Sequence, residues 1–201
     1  MSWIKHIPYD QAEGKLLKLY KRVKGPDNNV DNIMLAHSLR PHTMEGHMAL
    51  YKNVLHHLSN EIPKWFLEVL GVYTSLLNQC EYCVEHHYNG MSRLIKDDKR
   101  SQAIRLALET ENFTSDFEEK QSKALEYAKN LTVNAHKLTK NAVIDLRNSG
   151  WDDGEILEIN QVVAYFNYAN RTVLGLGVYS EGDILGLSPN QSHDPDNWQH
   201  Q

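Results

Sequence analysis

The chain has 201 residues, a net charge of −5, 41% hydrophobic and 23% charged residues, which is the profile of a folded globular protein with a sizeable core. The acidic balance argues against a general nucleic-acid binder, and no apolar run approaches the roughly 18 residues needed to cross a bilayer. The start, M-S-W-I-K-H-I-P, lacks the long apolar core of a signal peptide, so residence in the cytoplasm is expected.

Residues 1–30 read as an extended start and a short amphipathic helix carrying Leu16, Leu17 and Tyr20, ended by Gly25-Pro26-Asp27-Asn28-Asn29. A helical turn or two follows over Asn32–Ser38, and Pro41 opens a helix through Met44, Met48, Tyr51 and Leu55. Ser59 to Pro63 is a loop and cap before a helix from about Pro63 to Leu77. Asn78 is the expected N-cap of a second helix that starts near Cys80. Further helices are expected over Asp98–Leu108, Asp116–Val133, from Thr139 through Leu146, and from an Asp152 cap onward to Leu174. Gly175, Gly177 and the polar tail from Ser188 read as loop, the tail being flexible or docked on a partner. Strand-period alternation is scarce, so the class is all-α: one helical domain over 1–187 with a C-terminal tail over 188–201.

Both cysteines stand in one motif, Cys80-x-x-Cys83, followed by His87 and preceded twelve residues earlier by Glu68. On a helix Cys83 and His87 lie about 40° apart and Cys80 and His87 about 20° apart, so the three share a face. His86 points about 60° from Cys83 and about 120° from Cys80, which makes His87 the imidazole that serves the thiols. Glu68 joins them only if the chain breaks near Asn78-Gln79, since fifteen residues of straight helix would span roughly 22 Å. A helix N-terminus favours a thiolate. With His87 one turn below it and more amide N–H groups directed at its sulfur, Cys83 is expected to have the lower pKa. A bridge between cysteines so close in sequence constrains little of the unfolded chain, so its value would lie in redox chemistry.

Glu-x11-Cys-x2-Cys-x3-His on helices resembles the active-site pattern of the alkylhydroperoxidase D family, within the carboxymuconolactone decarboxylase-like group. Leu35-Ala36-His37-Ser38 and Val163-Ala164-Tyr165-Phe166-Asn167-Tyr168-Ala169-Asn170-Arg171 resemble its peroxidase-related branch, so that the likeness runs from about Trp3 to Gly186. The resemblance implies a thiol-dependent peroxidase acting on organic hydroperoxides or hydrogen peroxide. Cys83 would attack, Cys80 would close the disulfide, His87 and Glu68 would relay protons, and an external dithiol or redox protein would reopen the bridge. It implies no haem, flavin or metal, and a homo-oligomer, often a trimer or hexamer. Met44–Tyr51 and Tyr165–Tyr168 are the segments expected to supply contact surface for it. One departure is Tyr82, where some members carry a relay histidine; its phenol either supports the site or packs.

Sliding the chain by 87 residues sets Glu155 on Glu68, Asn167 on Cys80 and Asn170 on Cys83, a degenerate repeat of a helical hairpin. His86, His56, His57, His42 and His47 read as solvated or structural. Three rival readings stand beside the peroxidase: zinc held by Cys80, Cys83, His87 and Glu68, a decarboxylase or lactone-processing enzyme like the group's namesake, and a helical oligomer that only senses oxidants.

Overall fold

A computed structural model describes residues 2–189 and 197–201. Nine α-helices are present among them: α1 (Gly14–Val23), α2 (Asn32–Ala36), α3 (Pro41–His56), α4 (Lys64–Leu77), α5 (Glu81–Ile95), α6 (Asp98–Thr110), α7 (Glu119–Val133), α8 (Lys140–Asn148) and α9 (Asp153–Leu176). No strand is named among the described residues, and none of the helices is long and apolar enough to cross a membrane.

The core is built around α4, whose residues from Phe66 to Ser75 are all buried. A helix apolar on every side needs partners on every side, and α4 packs against α5, α7 and α9. Gly71 is what lets α9 come close: a side chain there would run into the ring of Phe166. Phe66 stacks at 6.0 Å on Trp151, whose indole N–H donates to the Lys120 carbonyl and so ties the α8–α9 turn to α7.

Local signals place most of the ends. Pro41 occupies the first turn of α3. At α9, Asp152 accepts from the Glu155 amide while the Glu155 carboxylate accepts from the Asp152 amide, a reciprocal capping box. Four expectations shift. Pro63 is the N-cap of α4 rather than its first residue. α7 starts at Glu119, because the Glu118–Gln121 box caps it three residues later than the apolar pattern suggests. Gly175 stays inside α9, which ends on left-handed Gly177.

The fourth shift lies in the motif. Asn78 ends α4 as its C-cap, left-handed Gln79 turns the chain, and Cys80 itself is the N-cap of α5. α9 runs unbroken through the stretch that aligns with this turn, and Glu155 serves as a cap. Asn167 and Asn170 link the two aligned segments: Asn78 Nδ2 donates to Asn167 Oδ1 at 3.1 Å, and Ser75 Oγ donates to Asn170 Oδ1 at 3.1 Å.

The segments expected to form an oligomer surface face inward instead. Met44, Met48, Tyr51 and Tyr165 are buried within the chain, and of the large apolar side chains in these segments only Leu50 and Tyr168 are exposed. The apolar periodicity of α3 and α9 is spent on the protein's own core. Of the tail, residues 190–196 lie outside the described residues. The last residues are packed: Trp198 and His200 are buried, Arg22 lies 3.9 Å over the Trp198 ring, and Ser188 and Gln201 exchange backbone hydrogen bonds.

Candidate active site

The turn at Asn78–Gln79 folds α5 back along α4, so Glu68, twelve residues before Cys80, faces the helix that carries the thiols. His87 Nδ1 lies 2.7 Å from Glu68 Oε2, and both side chains are largely shielded, at 15% and 3% exposure. A buried carboxylate is costly without a partner. With Glu68 ionised, Nδ1 carries the shared proton and Nε2 is the nitrogen left for chemistry. Gly90, on the next turn of α5, leaves room for the Glu68 carboxyl, whose Oε1 would lie 3.5 Å from any Cβ there. The Phe166 ring stands edge-on to His87 at 4.5 Å and limits its rotation.

Cys80 and Cys83 are both buried free thiols, near 3.3 Å apart. Their order of acidity is the reverse of the sequence expectation. Cys80 is the N-cap of α5 without a capping hydrogen bond from its side chain; the Cys83 thiol and amide beside it hold its pKa below the ordinary thiol value. Cys83 is the donor in that pair and lies out of water, and both effects push its pKa well up.

A cavity of about 40 Å³ opens beside these groups, lined by Cys83, Glu68, His87 and Gly90 on one side and by Met34, Tyr51, Tyr165 and His200 among others. Cys80 is not part of its wall; it stands behind Cys83. Of the sequence-selected residues, then, Cys83, His87 and Glu68 meet at one cavity, with Cys80 in contact through Cys83. Tyr82 also borders it. Its phenol is occupied, however, donating to Asp183 Oδ2 at 2.7 Å and accepting from the Ile33 amide at 3.2 Å. Asp183 further accepts from the Asn32 amide through both oxygens, at 3.0 and 3.1 Å. Tyr82 thereby anchors α5 to α2 and to the loop after α9.

The cavity also contains groups that sequence reasoning missed or set aside. His47 is buried with Nδ1 unpartnered, its Nε2 lies 3.4 Å from the Tyr165 hydroxyl, and burial drives its pKa down to about 3. His86 Nε2 lies 3.2 Å from Asp183 Oδ2 but out of line for a hydrogen bond. Asp31 is pushed up by burial and His200 pulled down by it. No spacing rule joins residues 31, 47, 165 and 200. The resembling blocks Leu35–Ser38 and Val163–Arg171 were the only sequence signals near them.

The structure does not gather Cys80, Cys83, His87 and Glu68 into a ligand set for zinc. Among the described residues no group of three or more His, Cys, Asp or Glu side chains is arranged to hold a metal ion.

No protein-family model and no curated protein matches the chain. Solved structures do. An uncharacterized peroxidase-related protein with an alkylhydroperoxidase AhpD core, from Ralstonia eutropha JMP134, superposes with a TM-score of 0.74 at 20% identity over 89% of this chain and 92% of its own. An uncharacterized peroxidase-related protein from Silicibacter sp. TM1040 gives 0.68 at 21% identity over 76% of this chain and 78% of that one. The debrominase Bmp8, in complex with 2,3,4-tribromopyrrole, gives 0.66 at 16% identity over 90% and 91%. The chain has the all-α fold of the alkylhydroperoxidase D-like, peroxidase-related proteins.

Proposed function

We propose that the protein is a thiol-dependent peroxidase that cycles between the Cys80/Cys83 dithiol and its disulfide. The observation that carries this reading is the placing of Cys83 in the wall of a cavity shared with the Glu68–His87 pair, with Cys80 directly behind it.

The cycle starts with Cys80 as thiolate and its proton on the His87–Glu68 pair; the Cys83 proton passes to the Cys80 sulfur near 3.3 Å away, leaving Cys83 as thiolate and Cys80 as thiol. Cys83 sulfur attacks the terminal oxygen of the hydroperoxide, the O–O bond breaks, and Cys83 becomes a sulfenic acid. The departing alkoxide or hydroxide takes a proton from the His87–Glu68 pair and leaves as alcohol or water. The Cys80 thiol then gives up its proton to that pair and attacks the sulfenic sulfur, forming the disulfide; the hydroxide released takes the proton back from the pair and leaves as water. In sum, a dithiol and a hydroperoxide yield a disulfide, an alcohol and water. An external dithiol, itself oxidised, restores the pair by thiol–disulfide exchange.

Peroxide titration of the reduced protein, followed by intact mass, tests the reading. One intramolecular disulfide should form, with a loss of about two hydrogens and no intermolecular dimer. Both thiols persisting unmodified in excess hydroperoxide would refute it.

A further inference from the structure

The cavity at Cys83 is closed on one side by the end of the chain. Leu187 and His200 both line it, and both are held by several contacts. Gly186, in a left-handed conformation, lies so close to α5 that a side chain there would press on Asn89, and Arg93 donates to the Leu185 carbonyl at 3.0 Å. Gly25 leaves space for Leu187. The His200 backbone N–H donates to the Lys24 carbonyl at 3.3 Å, and its ring Nδ1 donates to the Val23 carbonyl at 2.7 Å. Trp198 is buried beside it.

The space beside Cys83, which opens to solvent, is small for an organic hydroperoxide. At about 40 Å³ it holds a water-sized molecule or two, whereas a cavity that takes up benzene measures about 150 Å³. Its far wall consists of large side chains, Tyr51, Tyr165 and Met34, that are themselves buried among neighbours. The mobile-looking option of pushing them aside would disturb a packed core, which resists changes of even one methylene.

We infer that Leu187 and His200 are specificity-determining residues that restrict the Cys83 cavity to hydrogen peroxide and hydroperoxides of similar size, excluding those with aryl or long alkyl groups. The inference rests on the peroxidase reading and narrows its substrate class.

The test compares hydrogen peroxide with cumene hydroperoxide on the full chain, with dithiothreitol as reductant. Wild-type kcat/KM should favour hydrogen peroxide by at least about tenfold, the scale on which a pocket discriminates by bulk. His200→Ala and Leu187→Ala should each narrow that ratio severalfold. In parallel, Cys83 in the reduced wild-type protein should react with iodoacetamide but not with fluorescein maleimide, and both variants should admit the maleimide. Equal use of the two peroxides by wild type would overturn the size restriction and leave the peroxidase standing. Turnover of neither would remove the peroxidase reading, and the labelling pattern would still decide whether Leu187 and His200 close the cavity. If His200→Ala fails to fold, Leu187→Ala carries the comparison; unchanged selectivity and labelling in it would refute the assignment.

Discussion

Cys80 and Cys83 sit one helical turn apart, and the residue at the cap takes the share of stabilisation that the sequence assigns to the other. The Cys83 thiol and amide beside Cys80 lower the pKa of the deeper sulfur, while the Cys80 neighbour and burial raise that of the sulfur at the cavity. Access and acidity are thus divided between the two, and a proton shift of one hydrogen bond joins them. Thiolate absorbance titration should detect this: wild type should ionise first below the ordinary thiol range of about 8.5. Cys83→Ser retains a hydroxyl donor and the amide, and should preserve that early ionisation. Cys80→Ser should abolish it. In peroxide, Cys80→Ser should trap a labelled sulfenic acid at Cys83, formed more slowly than in wild type because the neighbouring base is gone. An early ionisation that survives in Cys80→Ser would restore Cys83 as the more acidic thiol.

At the scale of elements, α4 and α5 form the site and α9 and α2 hold them in register. Phe166 on α9 lies over Gly71 of α4 and against the His87 ring, so one aromatic side chain serves both packing and orientation. Gly71→Ala should lower stability by about 1–3 kcal/mol, the usual cost of overpacking, and should also slow peroxide-driven oxidation by moving His87. Thermal unfolding and single-turnover oxidation would separate the two effects. Tyr82→Phe removes only a hydroxyl, yet leaves the Ile33 amide and one Asp183 oxygen without that partner. Its expected cost is about 1–3 kcal/mol, with sulfenic acid formation retained at Cys83. Loss of the chemistry together with unchanged stability would assign the phenol a role at the thiol instead.

Taken whole, the molecule buries an unusual number of imidazoles. His37, His47, His56 and His200 are all buried, and burial lowers the pKa of each, that of His47 to about 3. A depressed folded-state pKa contributes stability that is present above the unfolded value near 6.5 and is lost as pH falls through the folded value. For His47 that window runs from about 6.5 down to about 3. Each such group adds up to about 1.4 kcal/mol per pH unit within its window. Urea midpoints should therefore fall steeply from about pH 7 to about pH 5, with more than one proton taken up on unfolding. A flat profile over that range would mean that these imidazoles gain protons while still folded.

The sequence by itself determined the helical class, most helix ends, and the shared face of Cys80, Cys83 and His87, each from short-range regularities: a 3.6-residue period, a capping residue, a C-x-x-C spacing; Glu68 was tied to them by the family resemblance. The helix start is two residues later than the sequence suggested, with Cys80 rather than Asn78 as the N-cap, so Cys80 stands at the cap and Cys83 one turn inside. Only the tertiary structure could bring Asp31, His47, Tyr165 and His200 to the same cavity, because their approach depends on how α3, α9 and the chain end pack around α4. The same packing turned Tyr51 and Tyr165 inward, away from the surface suggested by their apolar spacing. Periodicity reports which side of a helix is buried; what buries it is settled by elements far away in the chain.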